Sequence, residues 1–104
     1  MIELNEKNWS DFISKNEKVL VDVYGDGCGP CMKMEPVLMD LESRSSSGVV
    51  FGKINAMNNV EVVARFGIRS VPALLYFKGG KWMCQESGFK NLQEIQNSIE
   101  TYLL

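Results

Sequence analysis

The sequence predicts an α/β fold: a three-layer α/β/α sandwich with a central mixed sheet of about five strands and four helices. Apolar runs of strand length alternate with segments whose apolar residues recur every three or four positions, which is typical of parallel βαβ units. The last two apolar runs are joined by a Gly-Gly turn, which predicts an antiparallel hairpin. The predicted order is therefore βαβαβαββα.

Length and composition indicate a single domain that spans residues 1–104, because a chain of this length can form one hydrophobic core. The net charge is −2 with acids and bases interspersed, so we expect no nucleic-acid partner. The apolar runs are too short to span a bilayer, so we expect no membrane partner. Residues 1–7 lack the basic and apolar regions of a secretory signal, and we therefore expect a cytoplasmic protein.

The first predicted elements are a short edge strand at residues 2–4, a short helix capped by Asn5, and a strand at residues 19–24. The buried stripe of the helix consists of Trp9, Phe12 and Ile13. Residues 19–24 are β-branched and aromatic, which predicts a strand buried on both faces. Asp22 is the exception, because it places a carboxylate in the middle of this apolar run.

A second helix is predicted to begin at Cys31 or just before it. Its apolar stripe consists of Cys31, Met34, Leu38 and Leu41. Pro36 lies within this pattern and removes a backbone hydrogen bond, so we expect a kinked helix rather than one that ends there. Residues 49–55 then form a buried strand that completes a right-handed βαβ unit.

The remaining elements are a short third helix ending at Gly67, a strand at residues 73–77, an edge strand at residues 82–86 and a helix capped by Asn91. The third helix has an apolar stripe of Val60, Val63, Ala64 and Phe66. The apolar stripe of the last helix consists of Leu92, Ile95, Ile99, Tyr102 and Leu103.

The candidate active site is the Cys28-Gly29-Pro30-Cys31 turn between the first buried strand and the second helix. The sequence has no histidine, which excludes Cys/His zinc sites, and three cysteines do not suit a secreted disulfide scaffold. A structural disulfide or inert thiols remain the alternative.

At a helix N-terminus the partial positive charge should lower the pKa of the Cys28 thiol, so Cys28 is the predicted nucleophile and Cys31 the resolving thiol. Glycine permits a tight approach and proline suits the first helical position.

Asp22 is the predicted proton acceptor for Cys31. Burial should raise the pKa of its carboxyl above the ordinary ~3.9, so it can carry a proton near neutral pH. The alternative is that Asp22 points to solvent from a half-exposed strand. Lys53, on the neighbouring strand, could tune Asp22 by its charge or be a surface residue. Cys84 lies two residues from Trp82 and is expected on the same face as a small, half-buried side chain, with a redox or dimer-forming role as the alternative.

The chain resembles the thioredoxin family along nearly its whole length. The motifs that carry the resemblance are residues 21–24, 28–31, Pro36, 53–55, 66–72, 77–81 and Gly88. The resemblance implies that Pro72 is cis and faces the disulfide, that the Val71 backbone binds substrate, and that Asp22 and Lys53 form the proton-handling pair. It also implies substrate contacts at Gly27, Gly29, Pro30, Val71, Pro72 and Gly88. A Gly-Pro pair between the cysteines is the family's reductant form and implies a low potential.

Four positions depart from the family pattern. Gly27 stands where a tryptophan usually precedes the first cysteine, and Met32 stands where a lysine usually follows the second. Tyr24 replaces a second common tryptophan, and Ala56 a larger apolar residue. We expect the loss of the aromatic side chain at Gly27 to expose Cys28 and to change the range of partners.

The resemblance implies a protein disulfide reductase that passes electrons from a flavin-dependent thioredoxin reductase, or a similar donor, to oxidised target proteins and keeps cellular thiols reduced. No bound cofactor or metal and a monomeric state are expected. Three alternatives stay open: a thiol oxidant or isomerase of the same fold, a noncatalytic binding module or complex subunit, and a metal or iron–sulfur site shared between two copies.

Overall fold

A mixed sheet with the strand order β1-β3-β2-β4-β5 forms the centre of the molecule, and the computed structural model describes residues 1–104. The strands are β1 Ile2–Leu4, β2 Lys18–Tyr24, β3 Val49–Asn55, β4 Ala73–Lys78 and β5 Lys81–Ser87. The helices are α1 Trp9–Lys15, α2 Gly29–Arg44, α3 Val60–Arg65 and α4 Leu92–Tyr102, with a 3₁₀ turn at Ala56–Asn58. β1, β3 and β2 are parallel, whereas β4 and β5 are antiparallel to their neighbours. The predicted fold class and element order are therefore confirmed.

The two faces of the sheet carry separate apolar cores. One core joins α1 and α3 to the odd-numbered residues of β2, which are Val19, Val21 and Val23. The other joins α2 and α4 to Leu20 of the same strand and to Phe51 of β3. Because side chains alternate between the faces of a strand, Asp22 shares the face of Leu20 and lies beneath α2. Lys53 shares the face of Phe51 for the same reason.

Helix α1 begins later than predicted. Asn8 stands at its N-cap position, and Trp9 and Ile13 are buried. The side chain of Asn5 instead accepts hydrogen bonds from the backbone N–H groups of Lys7, at 2.8 Å, and Asn8, at 3.0 Å. The Asn5 carbonyl oxygen also accepts from the Trp9 backbone N–H at 3.0 Å, so Asn5 makes the hydrogen bonds predicted for a capping residue. It makes them in a turn that precedes the first residue of α1, which is where the structure differs from the prediction.

Helix α2 has the predicted buried stripe and continues through Pro36. Helix α3 departs from its prediction, because Val60 is 69% exposed and Ala64 is also exposed. Val62 and Phe66, which lie four residues apart, provide the buried contacts instead. A helix of six residues shows too few periods for its buried face to be read reliably from the sequence. Gly67 follows it at φ +62°, as predicted for a C-terminal glycine.

Strand β5 contains a bulge that corrects the prediction for Cys84. Tyr76 pairs with Cys84 and Phe77 pairs with Trp82, so Met83 is the additional residue. The bulge places Trp82 and Cys84 on opposite faces of the sheet. The ring of Trp82 packs edge-on against Phe66 at a centroid distance of 4.9 Å, whereas Cys84 packs against the core under α2 and α4.

Helix α4 is capped as predicted: the Asn91 side chain accepts from the Glu94 backbone N–H, and the Glu94 carboxylate accepts from the Asn91 N–H. Its predicted stripe lies against the sheet. None of the helices combines the length and the apolar character that crossing a bilayer would require.

Candidate active site

Cys28 and Cys31 form a disulfide where β2 leads into α2, with their Cα atoms 5.3 Å apart. Cys28 is the N-cap residue of α2, and its Sγ accepts a hydrogen bond from the Cys31 backbone N–H at 3.2 Å. Cys28 is half-buried, but only 4% of the Cys31 surface is exposed. The two sulfurs therefore differ in accessibility in the way that an attacking and a resolving thiol require.

The loop between α3 and β4 lies against the disulfide. The Val71–Pro72 peptide bond is cis, and the Val71 carbonyl oxygen lies 3.8 Å from Cys28 Sγ. The backbone N–H of Gly88 donates to the Pro72 carbonyl at 2.8 Å and joins the end of β5 to this loop. The structure thus brings together Val71, Pro72 and Gly88 with the cysteine pair.

Asp22 is buried beneath α2, with 1% of its surface exposed, and neither carboxylate oxygen has a hydrogen-bond partner. Burial raises the pKa of Asp22 from 3.8 to about 7, and the negative charge of Glu35 contributes to this rise, whereas Lys53 lowers it. Glu3 has a smaller effect that raises it. This carboxyl can therefore bind or release a proton near neutral pH, and it does not point to solvent.

Lys53 lies directly opposite Asp22 in the parallel pairing of β2 and β3. Its ammonium group, however, bonds to Glu35, with 3.3 Å between Nζ and Oε2. It also lies 5.7 Å from the centroid of the Tyr24 ring. Lys53 is thus close to Asp22 along the sheet, but its hydrogen bond is made to another carboxylate.

Glu35 is the site residue that the sequence analysis missed. It lies four residues after Cys31 in α2, and residues at that spacing share one face of a helix. This spacing was the signal that could have revealed it.

A cavity of about 160 Å³ lies between the end of β2 and the start of α2. It is lined by Tyr24, Gly25, Cys31, Met32, Glu35 and Pro36. The Tyr24 hydroxyl donates to the Glu3 carboxylate, at 2.9 Å to Oε2, and burial together with this bond raises the pKa of Tyr24 to about 12. The resolving cysteine and the Glu35 carboxylate thus line the same cavity.

Cys84 forms no disulfide. Burial raises the pKa of its thiol, which makes it less reactive at neutral pH. Its neighbours include Tyr76, its partner across the strands, and Tyr102. These observations agree with a small, half-buried side chain outside the site.

Gly27, immediately before the pair, has φ +66° and is exposed, and no atom lies within 4 Å of the position that a Cβ would occupy. Space is therefore available for a side chain, but the backbone conformation is one that residues other than glycine rarely adopt. Gly27 therefore suits the left-handed backbone of this turn and leaves the surface beside Cys28 without a side chain.

We expect Gly27→Ala to lower the free energy of unfolding by about 1 kcal/mol, because alanine must adopt a left-handed conformation there. Gly29→Ala is the matched control, since Gly29 also has open space but lies in the first turn of α2 without a positive φ. It should cause no loss. Urea unfolding of both variants measures the difference, and equal effects would contradict the conformational explanation.

Comparisons with known proteins agree with this geometry. Residues 1–101 match a family model described as Thioredoxin. The chain is 33% identical to the thioredoxin of Alicyclobacillus acidocaldarius, over 96% of this chain and 95% of that protein. It is 36% identical to thioredoxin 2 of Chlorobaculum tepidum, over 97% of this chain and 94% of that protein. The solved structure of a mutant thioredoxin from Halobacterium salinarum matches with a TM-score of 0.91 at 29% identity, over 99% of this chain and 90% of that one.

Proposed function

Because this chain belongs to the thioredoxin family and is a thiol–disulfide oxidoreductase, we propose that Cys28 attacks the disulfides of target proteins and that Cys31 resolves the product. The single observation that carries this assignment is the unequal exposure of two sulfurs in one disulfide. Cys28 is half-buried at the surface end of α2, and Cys31 is 4% exposed. A protein disulfide can therefore meet Cys28 but not Cys31.

In the first step, the Cys28 thiolate attacks one sulfur of the target disulfide. A Cys28–target disulfide forms, the target's S–S bond breaks, and its second sulfur leaves as a thiolate that takes a proton from water. The N-terminus of α2 favours the attacking thiolate, because its partial positive charge and the Cys31 N–H face Cys28 Sγ.

In the second step, Cys31 transfers its thiol proton to ionised Asp22, directly or through water, and its sulfur attacks Cys28 Sγ. The Cys28–Cys31 disulfide forms, and the target sulfur leaves with the electron pair. The target has then gained two electrons and the protein has lost two. The buried position of Asp22 and its pKa of about 7 support this role, because the same group can accept and release a proton at neutral pH. In this proposal Lys53 adjusts the proton affinity of Asp22 through its charge.

The loop that contains Val71 and Pro72 presents the target. Its position beside Cys28, with the Val71 carbonyl 3.8 Å from the sulfur, supports strand-like pairing of the Val71 backbone with an extended target segment. Gly27, Gly29 and Pro30 on one side and Gly88 on the other complete the proposed contact surface. The exposed side chains of Met32 and Met57, at 67% and 63%, extend this surface with adaptable apolar groups.

Thioredoxins in general receive electrons from a thioredoxin reductase and reduce other proteins. For this chain we propose a flavin-dependent thioredoxin reductase as the donor, oxidised proteins as the targets and a reducing compartment, the cytoplasm, as the location. The half-buried thiol of Cys84 supports a reducing compartment, because unpaired thiols are ordinary there. We further propose that the chain acts as a monomer and as a single domain.

Insulin disulfide reduction tests the function and the donor together. We expect turnover both with dithiothreitol and with NADPH plus a flavin-dependent thioredoxin reductase, because the exposed sulfur and its resolving partner are both present. A DTNB or insulin assay over a range of protein concentrations measures it. Failure with both donors would contradict disulfide reduction, whereas failure with the reductase alone would contradict only the proposed donor.

A further inference from the structure

Three charged side chains meet between β2, β3 and α2, and only two of them have a role in the proposed mechanism. We propose that Glu35 is a positioning residue that holds the Lys53 ammonium group and thereby controls the pH at which Asp22 can accept the proton of Cys31. This inference rests on the proposed role of Asp22 as the proton acceptor.

The geometry separates Lys53 from the carboxylate that it could neutralise. Lys53 lies opposite Asp22 across the strands, yet its Nζ bonds to Glu35 Oε2 at 3.3 Å and both Asp22 oxygens remain without a hydrogen bond. The side chains of Lys53 and Glu35 are 27% and 40% exposed, whereas Asp22 is buried. The cation is thus bound at the protein surface rather than to the buried acid.

Charges that act on Asp22 come from three of the elements around it. Helix α2 contributes Glu35, β3 contributes Lys53, and β1 contributes Glu3, which is bonded to the Tyr24 hydroxyl of β2 itself. The partner of Asp22 on β4 is the apolar Leu74. Two carboxylates therefore oppose ionisation of Asp22, and one ammonium group favours it.

Removing the charge of Glu35 should change this balance twice in the same direction. One negative charge near Asp22 disappears, and Lys53 becomes free to turn towards the buried carboxylate that lies opposite it. Both changes favour the ionised form of Asp22. The resolving step, which needs ionised Asp22, should then become available at lower pH.

The test is Glu35→Gln, with two readouts between pH 5 and 9: the carbon-13 signal of the Asp22 carboxyl by NMR in the oxidised protein, and the single-turnover rate of the resolving step. We expect both midpoints to move to lower pH by roughly half a pH unit or more. Asp40→Asn is the matched control, because Asp40 is another ion-paired carboxylate of α2, bonded to Arg44 at 2.7 Å, and no shift is expected. Glu35→Ala provides a second variant with the same expected direction.

A double-mutant cycle separates the action through Lys53 from a direct charge effect. In a Lys53→Gln background, Glu35→Gln should shift the Asp22 midpoint less than it does in the wild type. An equal shift in both backgrounds would overturn the positioning role. An unshifted Asp22 signal in Glu35→Gln would overturn the inference as a whole.

The proposed function can fail separately. If Asp22→Asn keeps the wild-type pH dependence of the resolving step, Asp22 is not the proton acceptor, whatever Glu35 does. If that dependence is lost in Asp22→Asn but is unmoved in Glu35→Gln, the mechanism stands and the role of Glu35 is overturned.

Discussion

Cys28→Ser is expected to remove the protein's whole contribution to insulin reduction, so that only the rate of dithiothreitol alone remains. A serine hydroxyl cannot form the mixed disulfide, and Cys31, at 4% exposure, cannot reach a protein disulfide in its place. The rate with dithiothreitol as the donor measures the loss. The same assay with Cys31→Ser should show a different defect: the attack still occurs, and a stable Cys28–target adduct accumulates that mass spectrometry can detect.

Cys84→Ser is the matched control for these variants, because it removes the third thiol at a half-buried position outside the site. It should keep the wild-type rate. Substantial activity in Cys28→Ser would contradict the assignment of the nucleophile, and a loss of activity in Cys84→Ser would show that the third thiol takes part after all.

Asp22→Asn is expected to make the folded state more stable than the wild type above pH 7, by about 4 kcal/mol. The pKa of Asp22 is raised from 3.8 to about 7 in the folded protein, mainly by burial. Between these two values the folded state holds a proton that the unfolded chain has released, so stability falls as the pH rises. The wild type should therefore be most stable, with respect to this group, below about pH 4 and should lose that contribution as the pH rises through 7. Because asparagine does not ionise, the variant does not lose stability through this group as the pH rises.

Urea unfolding of wild type and Asp22→Asn at pH 5 and pH 8 measures this effect. The difference in unfolding free energy between the two proteins should be larger at pH 8. Asp40→Asn, at an exposed and ion-paired position, should follow the wild type at both values. If the unfolding free energy changes by the same amount between pH 5 and pH 8 in wild type and Asp22→Asn, the buried carboxyl does not titrate as described.

These two predictions depend on residues that the sequence alone identified. The Cys-x-x-Cys spacing at the junction of a strand and a helix was sufficient for the cysteine pair, because the chemistry and the geometry there are local. Asp22 stood out because a carboxylate within an apolar strand is costly. Strands β2 to β4 and the stripes of α2 and α4 were also predicted, since their periodic patterns are long enough to be unambiguous.

The sequence by itself therefore determined the order of elements, the family and the pair of sulfurs. Only the tertiary structure decided three features. The Lys53–Glu35 ion pair joins residues 18 positions apart and depends on how α2 lies across β3. The bulge in β5 sends Trp82 and Cys84 to opposite faces, because one unpaired residue reverses the alternation of side chains. The left-handed backbone at Gly27 follows from the path of the turn into α2. The ion pair and the bulge depend on how separate segments pack together, which local patterns of residue type do not record.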